Sequence, residues 1–325
     1  MKQRLFPYDM ARALAFVMVV CVHTLPDSYW VWVVGQPLFF ACNGIFFLLS
    51  GHFNLHVRDE SSYGGYYLRK VRNILLPIVV YTCATIIWNM KAQLPSDAAA
   101  VAKECVTRIV YTNSGNHLWF VYTLFGYLLA APFFAQMLDS MGTTGRRWFV
   151  ILGFGYITCI FAMTFTPIRF GWEYPFGLWL FLFLAEPICY PYLERQKTSH
   201  IAAAALGSLL VLATFCHLGL GDHLFDINPF YAIESFCLYE LFLRLGNAVS
   251  SNALVSLIAK KQFGMYIIHL FIKYRVEPHF VFTLPWKLAW PLTVLFTCAG
   301  SLAAAIVLDS LAVVQAASSW QLVPE

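Results

Sequence analysis

Asp9, Arg12 and His23 stand in one apolar run, Tyr8-Asp9-Met10-Ala11-Arg12-Ala13-Leu14-Ala15-Phe16-Val17-Met18-Val19-Val20-Cys21-Val22-His23. A helix turns about 100° and rises about 1.5 Å per residue, so Arg12 and His23 share one face ~16 Å apart. That separation is about half of a ~30 Å hydrocarbon core. Asp9 lies one turn before Arg12, at the spacing where helix side chains meet. Ionisable groups inside a membrane are costly and usually face the bundle interior or a wet cavity. The run therefore reads as one wall of an active site that crosses part of a bilayer.

Four further stretches carry residues of chemical interest. Tyr66-Tyr67-Leu68-Arg69-Lys70-Val71-Arg72 opens the third apolar segment, with Arg69 and Arg72 on one helix face. Two guanidinium forks suit phosphate groups, and equally suit plain topogenic charge. His117-Leu118-Trp119-Phe120 opens the fourth segment, with His117 expected level with His23. Phe263-Gly264-Met265-Tyr266-Ile267-Ile268-His269 puts Tyr266 and His269 on one face, expected in the inner half with Arg12. Ser50-Gly51 closes the second segment, where such a pair lets backbones approach closely. Glu186 and Glu234 also interrupt apolar runs and are expected to pair with cations in the bundle. A Walker loop, a His-Glu-x-x-His helix and a Gly-x-Ser-x-Gly elbow are all absent from the sequence, and no metal site is expected.

The elements that must hold these residues follow from composition. The chain has 325 residues, 60% of them hydrophobic and 12% charged, with a mean hydropathy of +0.66. Soluble domains carry about 25% charged residues, so the expectation is an all-α polytopic membrane protein. A net charge of +4 gives no footprint for nucleic acid. Nine cysteines occur singly in apolar surroundings and read as reduced core residues. The start, Met1-Lys2-Gln3-Arg4, resembles a signal peptide's charged region. No small-x-small cleavage site follows, so the first segment reads as a retained helix.

Apolar segments lie near 10–26, 31–53, 72–90, 117–138, 148–166, 174–193, 200–218, 227–245, 262–283 and 289–313. About ten transmembrane helices in one bundle are expected, with 1–325 as a single integral-membrane domain. Basic residues predominate on the side that would hold Lys2, Arg4, Arg69, Lys70, Arg72, Arg146, Arg147, Arg244, Lys260 and Lys261. That bias predicts both termini in the cytoplasm. In the longest outer loop, 91–116, Ser96-Asp97 is placed to cap a short helix over 98–110.

These motifs resemble those of the membrane-bound acyltransferase-3 family, the O-acyltransferases of cell-surface glycans. The matching residues are Asp9-x-x-Arg12-Ala-Leu-Ala with His23 beyond it, Phe46-Phe47-Leu-Leu-Ser50-Gly51, the Arg69-x-x-Arg72 pair, His117-Leu-Trp119-Phe and Phe263-Gly-Met-Tyr266-Ile-Ile-His269. The chain departs from the family pattern at Ala13, His52 and Leu270, where the family usually has Gly, Tyr and Pro.

The resemblance implies transfer of an acyl group, most often acetyl, from cytoplasmic acyl-coenzyme A to a hydroxyl of a surface polysaccharide or its lipid-linked precursor. It implies a catalytic role for His23, Arg12 and Asp9. Arg69, Arg72, Tyr266 and His269 would hold the donor, and His117 and Trp119 would lie on the acceptor side. Imidazole, with an unperturbed pKa of ~6.5, is the expected general base. The implied setting is the cell membrane, with membrane lipids and a glycan or lipid-linked glycan as partners. A homo-oligomer or a polysaccharide-synthesis complex is open on the sequence alone. The main alternative is a proton-coupled transporter or glycan exporter, which also uses intramembrane Asp, Glu, His and Arg. Against it stand the lack of duplicated halves and of paired broken helices.

Overall fold

A computed structural model describes residues 5–57, 62–90, 97–111, 117–166, 177–220 and 228–310. The described residues are helical: α1 Phe6–His23, α2 Tyr29–Asn54, α3 Tyr63–Lys70, α4 Leu76–Met90, α5 Ala98–Tyr111, α6 Trp119–Ser140, α7 Thr143–Met163, α8 Leu178–Leu193, α9 Thr198–His217, α10 Pro229–Ala248, α11 Ala253–Val281 and α12 Trp286–Ser310. Helices α1, α2, α4 and α6 to α12 overlap the apolar segments read from the sequence. By length and apolarity, α1, α2, α6, α7, α9, α11 and α12 can cross a membrane, and α8 is a shorter apolar helix. The protein is therefore an all-α, multi-pass membrane protein. Its lipid-side character is plain in exposed Ile151 and Leu152 on α7, Leu206 and Leu210 on α9, and Leu295 and Phe296 on α12. Such side chains suit contact with acyl chains, which are as apolar as leucine.

Inside the bundle, α2 packs against α1, α6, α8, α9 and α10, while α11 lies between α1 and α12. Small residues set these distances. A Cβ built on Gly51 would collide with the Phe183 carbonyl oxygen of α8, and one on Gly44 would collide with the Ser235 side chain of α10. Ser50-Gly51 thus marks a close backbone approach, as its composition predicts. On α1, Ala11, Ala15, Phe16 and Val20 are fully buried.

Caps fix several helix starts. Asn228 accepts from the Phe230 amide at 2.9 Å, with Pro229 in the first turn of α10. Asp97 accepts from the Ala99 amide at 3.1 Å, opening the short helix expected in the loop. Asn252 accepts from the Leu254 and Val255 amides, at 2.9 and 3.2 Å. A side-chain cap of this kind contributes about 1 kcal/mol. The Asn252 cap corrects the expected start of the ninth segment, because α11 begins at Ala253 and its first turns carry Lys260 and Lys261. The third segment likewise begins earlier than expected. Helix α3, a π-helical turn over Val71–Leu75 and α4 run on without a break.

At one end of the bundle Arg244 clamps three helices. Its guanidinium donates to Glu240 at 2.7 Å on its own helix and to Thr198 Oγ1 at 2.7 Å on α9. It also donates to the Leu193, Glu194 and Gln196 carbonyls, at 3.1, 3.2 and 2.8 Å. These carbonyls end α8, so one cation satisfies acceptors that the helix cannot satisfy internally. The sequence showed Arg244 only as topogenic charge.

Candidate active site

Arg12 marks one end of the site. It lies one turn above Asp9, with Nη1 at 3.5 Å from Asp9 Oδ1, and Asp9 is buried. Its guanidinium also lies over the ring of Phe53 near the end of α2. A narrow pocket opens beside it, lined by Arg12, Leu49 and Ser50 on one side and by Phe120, Leu124, Gln262, Phe263 and Tyr266 on the other. The walls are therefore α1, α2, α6 and α11. A pocket with few polar groups on apolar walls is the usual form of a small-molecule site.

Eleven residues along α1, His23 marks the other end. Its ring lies 5.2 Å, centroid to centroid, from that of His269 on α11. His269 in turn lies 5.3 Å from His117, edge to face. Tyr266 completes the group, with ring centroids at 5.6 Å from His269 and 5.9 Å from His117. Its hydroxyl donates to the His117 carbonyl oxygen. Phe16, on α1 between Arg12 and His23, meets the His269 ring edge-on at 6.4 Å.

His117 and His23 thus both lie beside the His269 ring. The expectation that His269 sits in the inner half with Arg12 is corrected. The earlier start of α11 raises His269 to a point ~24 Å along that helix, at about 1.5 Å per residue. Tyr266 spans both groups, lining the Arg12 pocket and touching the histidines.

The hydrogen bonds of the two inner histidines fix their tautomers. His269 Nδ1 lies 2.5 Å from the Tyr266 carbonyl oxygen, and His117 Nε2 lies 3.4 Å from that of Ile267. A carbonyl oxygen only accepts, so each of these nitrogens donates. His269 Nε2 and His117 Nδ1 are then bare, buried, and without a hydrogen-bond partner among the described residues. Their side chains are 0% and 6% exposed, whereas His23 is only half-buried.

The remaining expected residues lie elsewhere. Arg69 lies in the last turn of α3 and Arg72 in the π-helical turn; both are exposed, and neither lines the Arg12 pocket. Lys70, between them, turns inward. Its amine donates to Asn54 Oδ1 at 2.6 Å, and Asn54 Nδ2 donates to the Ser50 carbonyl at 2.8 Å. Trp119 packs against Trp179 of α8 at 5.7 Å, in an aromatic layer with Phe47.

Several contributors were missed from sequence. Phe53 and Lys70 belong to the Arg12 end, and an aromatic just past Ser50-Gly51 was the available signal for Phe53. At the His23 end, Thr24 donates to the Val20 carbonyl at 2.8 Å and accepts from Trp290 Nε1 at 3.2 Å. Glu186 meets His52 Nδ1 at 3.0 Å and accepts from the Tyr239 hydroxyl at 3.1 Å. Glu234 has no such partners. Its two carboxyl oxygens are buried and have no hydrogen-bond partner among the described residues. No disulfide joins any of the nine cysteines. Among the described residues no group of three or more His, Cys, Asp or Glu side chains is arranged to hold a metal ion.

Residues 8–309 match a family model described as an acyltransferase domain. No curated protein and no solved structure matches the chain.

Proposed function

Since this chain belongs to the acyltransferase-3 family and is a membrane acyltransferase, we propose that it moves an acyl group, acetyl first among candidates, from cytoplasmic acyl-coenzyme A to a hydroxyl of a surface polysaccharide or its lipid-linked precursor. The observation that carries this reading is the two-ended site on α1. Arg12 borders a pocket at one end, and His23 stands half-buried at the other. A donor entering on one side and an acceptor on the other need such an arrangement.

The roles follow from chemistry. Arg12, held by Asp9 and Phe53, offers a planar fork to the donor beside the pocket. Arg69 and Arg72, both exposed, grip coenzyme A phosphates by charge-assisted hydrogen bonds. Tyr266 shapes the passage between the two ends. His23 removes the acceptor hydroxyl's proton as the new ester bond forms. His117 and Trp119 border the acceptor side. Both termini lie in the cytoplasm of a cell-membrane protein, which puts Arg69 and Arg72 on the side where coenzyme A is found.

The test is transfer of radiolabelled acetyl from acetyl-coenzyme A in membranes, wild type beside His23→Ala. Acetylated glycan should appear with the wild type and be lost with the variant. Label retained in no acceptor fraction by either protein sinks the reading.

A further inference from the structure

Acyl transfer from a thioester to a hydroxyl releases no net proton, yet it needs one moved. The acceptor oxygen loses a proton as it bonds to the acyl carbon. The carbon–sulfur bond breaks, and the leaving thiolate must gain a proton. In the proposed function the acceptor stands by His23 and the donor enters past Arg12. The attacking oxygen and the leaving sulfur meet on one acyl carbon, so the proton takes a short path through basic groups beside that carbon.

His269 has the position and the free atom for this. It sits one turn above Tyr266, which lines the donor pocket, and its ring is 5.2 Å from that of His23. The Tyr266 carbonyl fixes its Nδ1 as a donor, so Nε2 presents a bare lone pair. That nitrogen is buried and has no hydrogen-bond partner among the described residues, in a side chain with no exposed surface. A bare acceptor in such a place is uncommon, because buried polar atoms are normally hydrogen-bonded. His117 repeats the pattern from the opposite side, with its Nε2 on the Ile267 carbonyl and its Nδ1 bare.

We propose that His269 is the proton relay of the transfer. Its Nε2 receives the proton that His23 takes from the acceptor hydroxyl and passes it to the sulfur of the leaving thiolate. Each turnover then moves one proton from oxygen to sulfur and leaves both imidazoles neutral. This rests on the acyl-transfer reading above and adds a role on the leaving-group side. His117 packs edge-on against His269 and holds its ring in place.

The discriminating substitution is His269→Asn. An asparagine amide can replace Nδ1–H toward the Tyr266 carbonyl while removing the group that Nε2 supplies. Transfer should fall ~10²- to 10⁴-fold, the range of a lost acid–base group. Equilibrium binding of acetyl-coenzyme A should stay as in the wild type. Added imidazole should restore part of the activity to His269→Ala, and a purely structural histidine would show no such rescue. A proton inventory in mixed light and heavy water should be curved for the wild type and linear for His269→Asn.

Nitrogen-15 spectra of the histidine-labelled protein give a check independent of turnover. They should show His269 protonated on Nδ1 and bare on Nε2. Near-normal transfer by His269→Asn, or a proton on Nε2 in the resting protein, overturns the relay. So does a loss of donor affinity equal to the loss of transfer. Loss of transfer in His23→Ala with full transfer in His269→Asn leaves the acyl-transfer reading standing and removes the relay. A wild type that transfers nothing overturns both.

Discussion

The guanidinium carbon of Arg12 lies 4.4 Å from the centre of the Phe53 ring. A cation over an aromatic face is stabilised by ~0.5–2 kcal/mol, more as water is excluded. Phe53→Leu keeps an apolar side chain and removes the ring. The donor KM should rise roughly 2- to 30-fold, the equivalent of that energy, with kcat little changed. Steady-state kinetics with acetyl-coenzyme A as the varied substrate measure this; an altered kcat at constant KM would contradict it.

Replacing Arg69 and Arg72 with Ala should weaken donor binding by ~1.5–3 kcal/mol for each charge-assisted hydrogen bond lost. Lysine at both positions should recover only part of it, since a bidentate fork becomes a point charge. Direct binding of labelled coenzyme A is the measurement. Unchanged affinity in a double alanine variant that inserts normally would reduce the pair to topogenic charge.

His23→Ala and His23→Gln should both insert, bind donor and fail in transfer, by ~10²- to 10⁴-fold. Glutamine retains a hydrogen bond but cannot take a proton at neutral pH. Near-normal turnover by His23→Gln would make His23 a packing residue.

Gly51→Ala should destabilise the bundle by ~1–3 kcal/mol, the cost of overpacking a close contact. The colliding atom is a backbone carbonyl oxygen, which cannot swing aside as a side-chain tip can. Gly126→Ala is the control, since nothing lies within 4 Å of a Cβ there. Thermal unfolding in detergent should show a lower midpoint for the first and no loss for the second.

Lys103 is exposed on α5. On a cysteine-free background, Lys103→Cys should react with an impermeant thiol reagent from outside intact cells. Reaction only after the inner face is opened would invert the topology.

Hydrophobic runs made the long helices legible, because a helix in lipid must be apolar along much of its surface. Two boundaries were not legible. Tyr63–Lys70 contains Gly64 and Gly65 and three polar aromatics, so it lacks an apolar signature, although it is helical. The start of α11 hid behind Lys260 and Lys261, whose charge reads as loop; Asn252 was the overlooked cap. For the site, spacing on a single helix placed Arg12 against Asp9 and aligned it with His23. What spacing could not supply was the register between helices. That register puts His269 beside His23, and it turns Lys70 toward Asn54.

Trp290, near the start of α12, reaches back to Thr24 at the end of α1, across 266 positions of sequence. Membrane proteins are made in order from the amino end, so α1 leaves the ribosome long before its partners exist. His23 has no His269 ring beside it until α11 has been inserted, and the turn that carries it is not tied to Trp290 until α12 follows. A chain halted anywhere before Ala253 would hold Arg12 and His23 without the α11 side chains that face them. The machinery for moving a reactive acyl group is thus assembled only by the last two helices described, and an unfinished polypeptide has none to misuse.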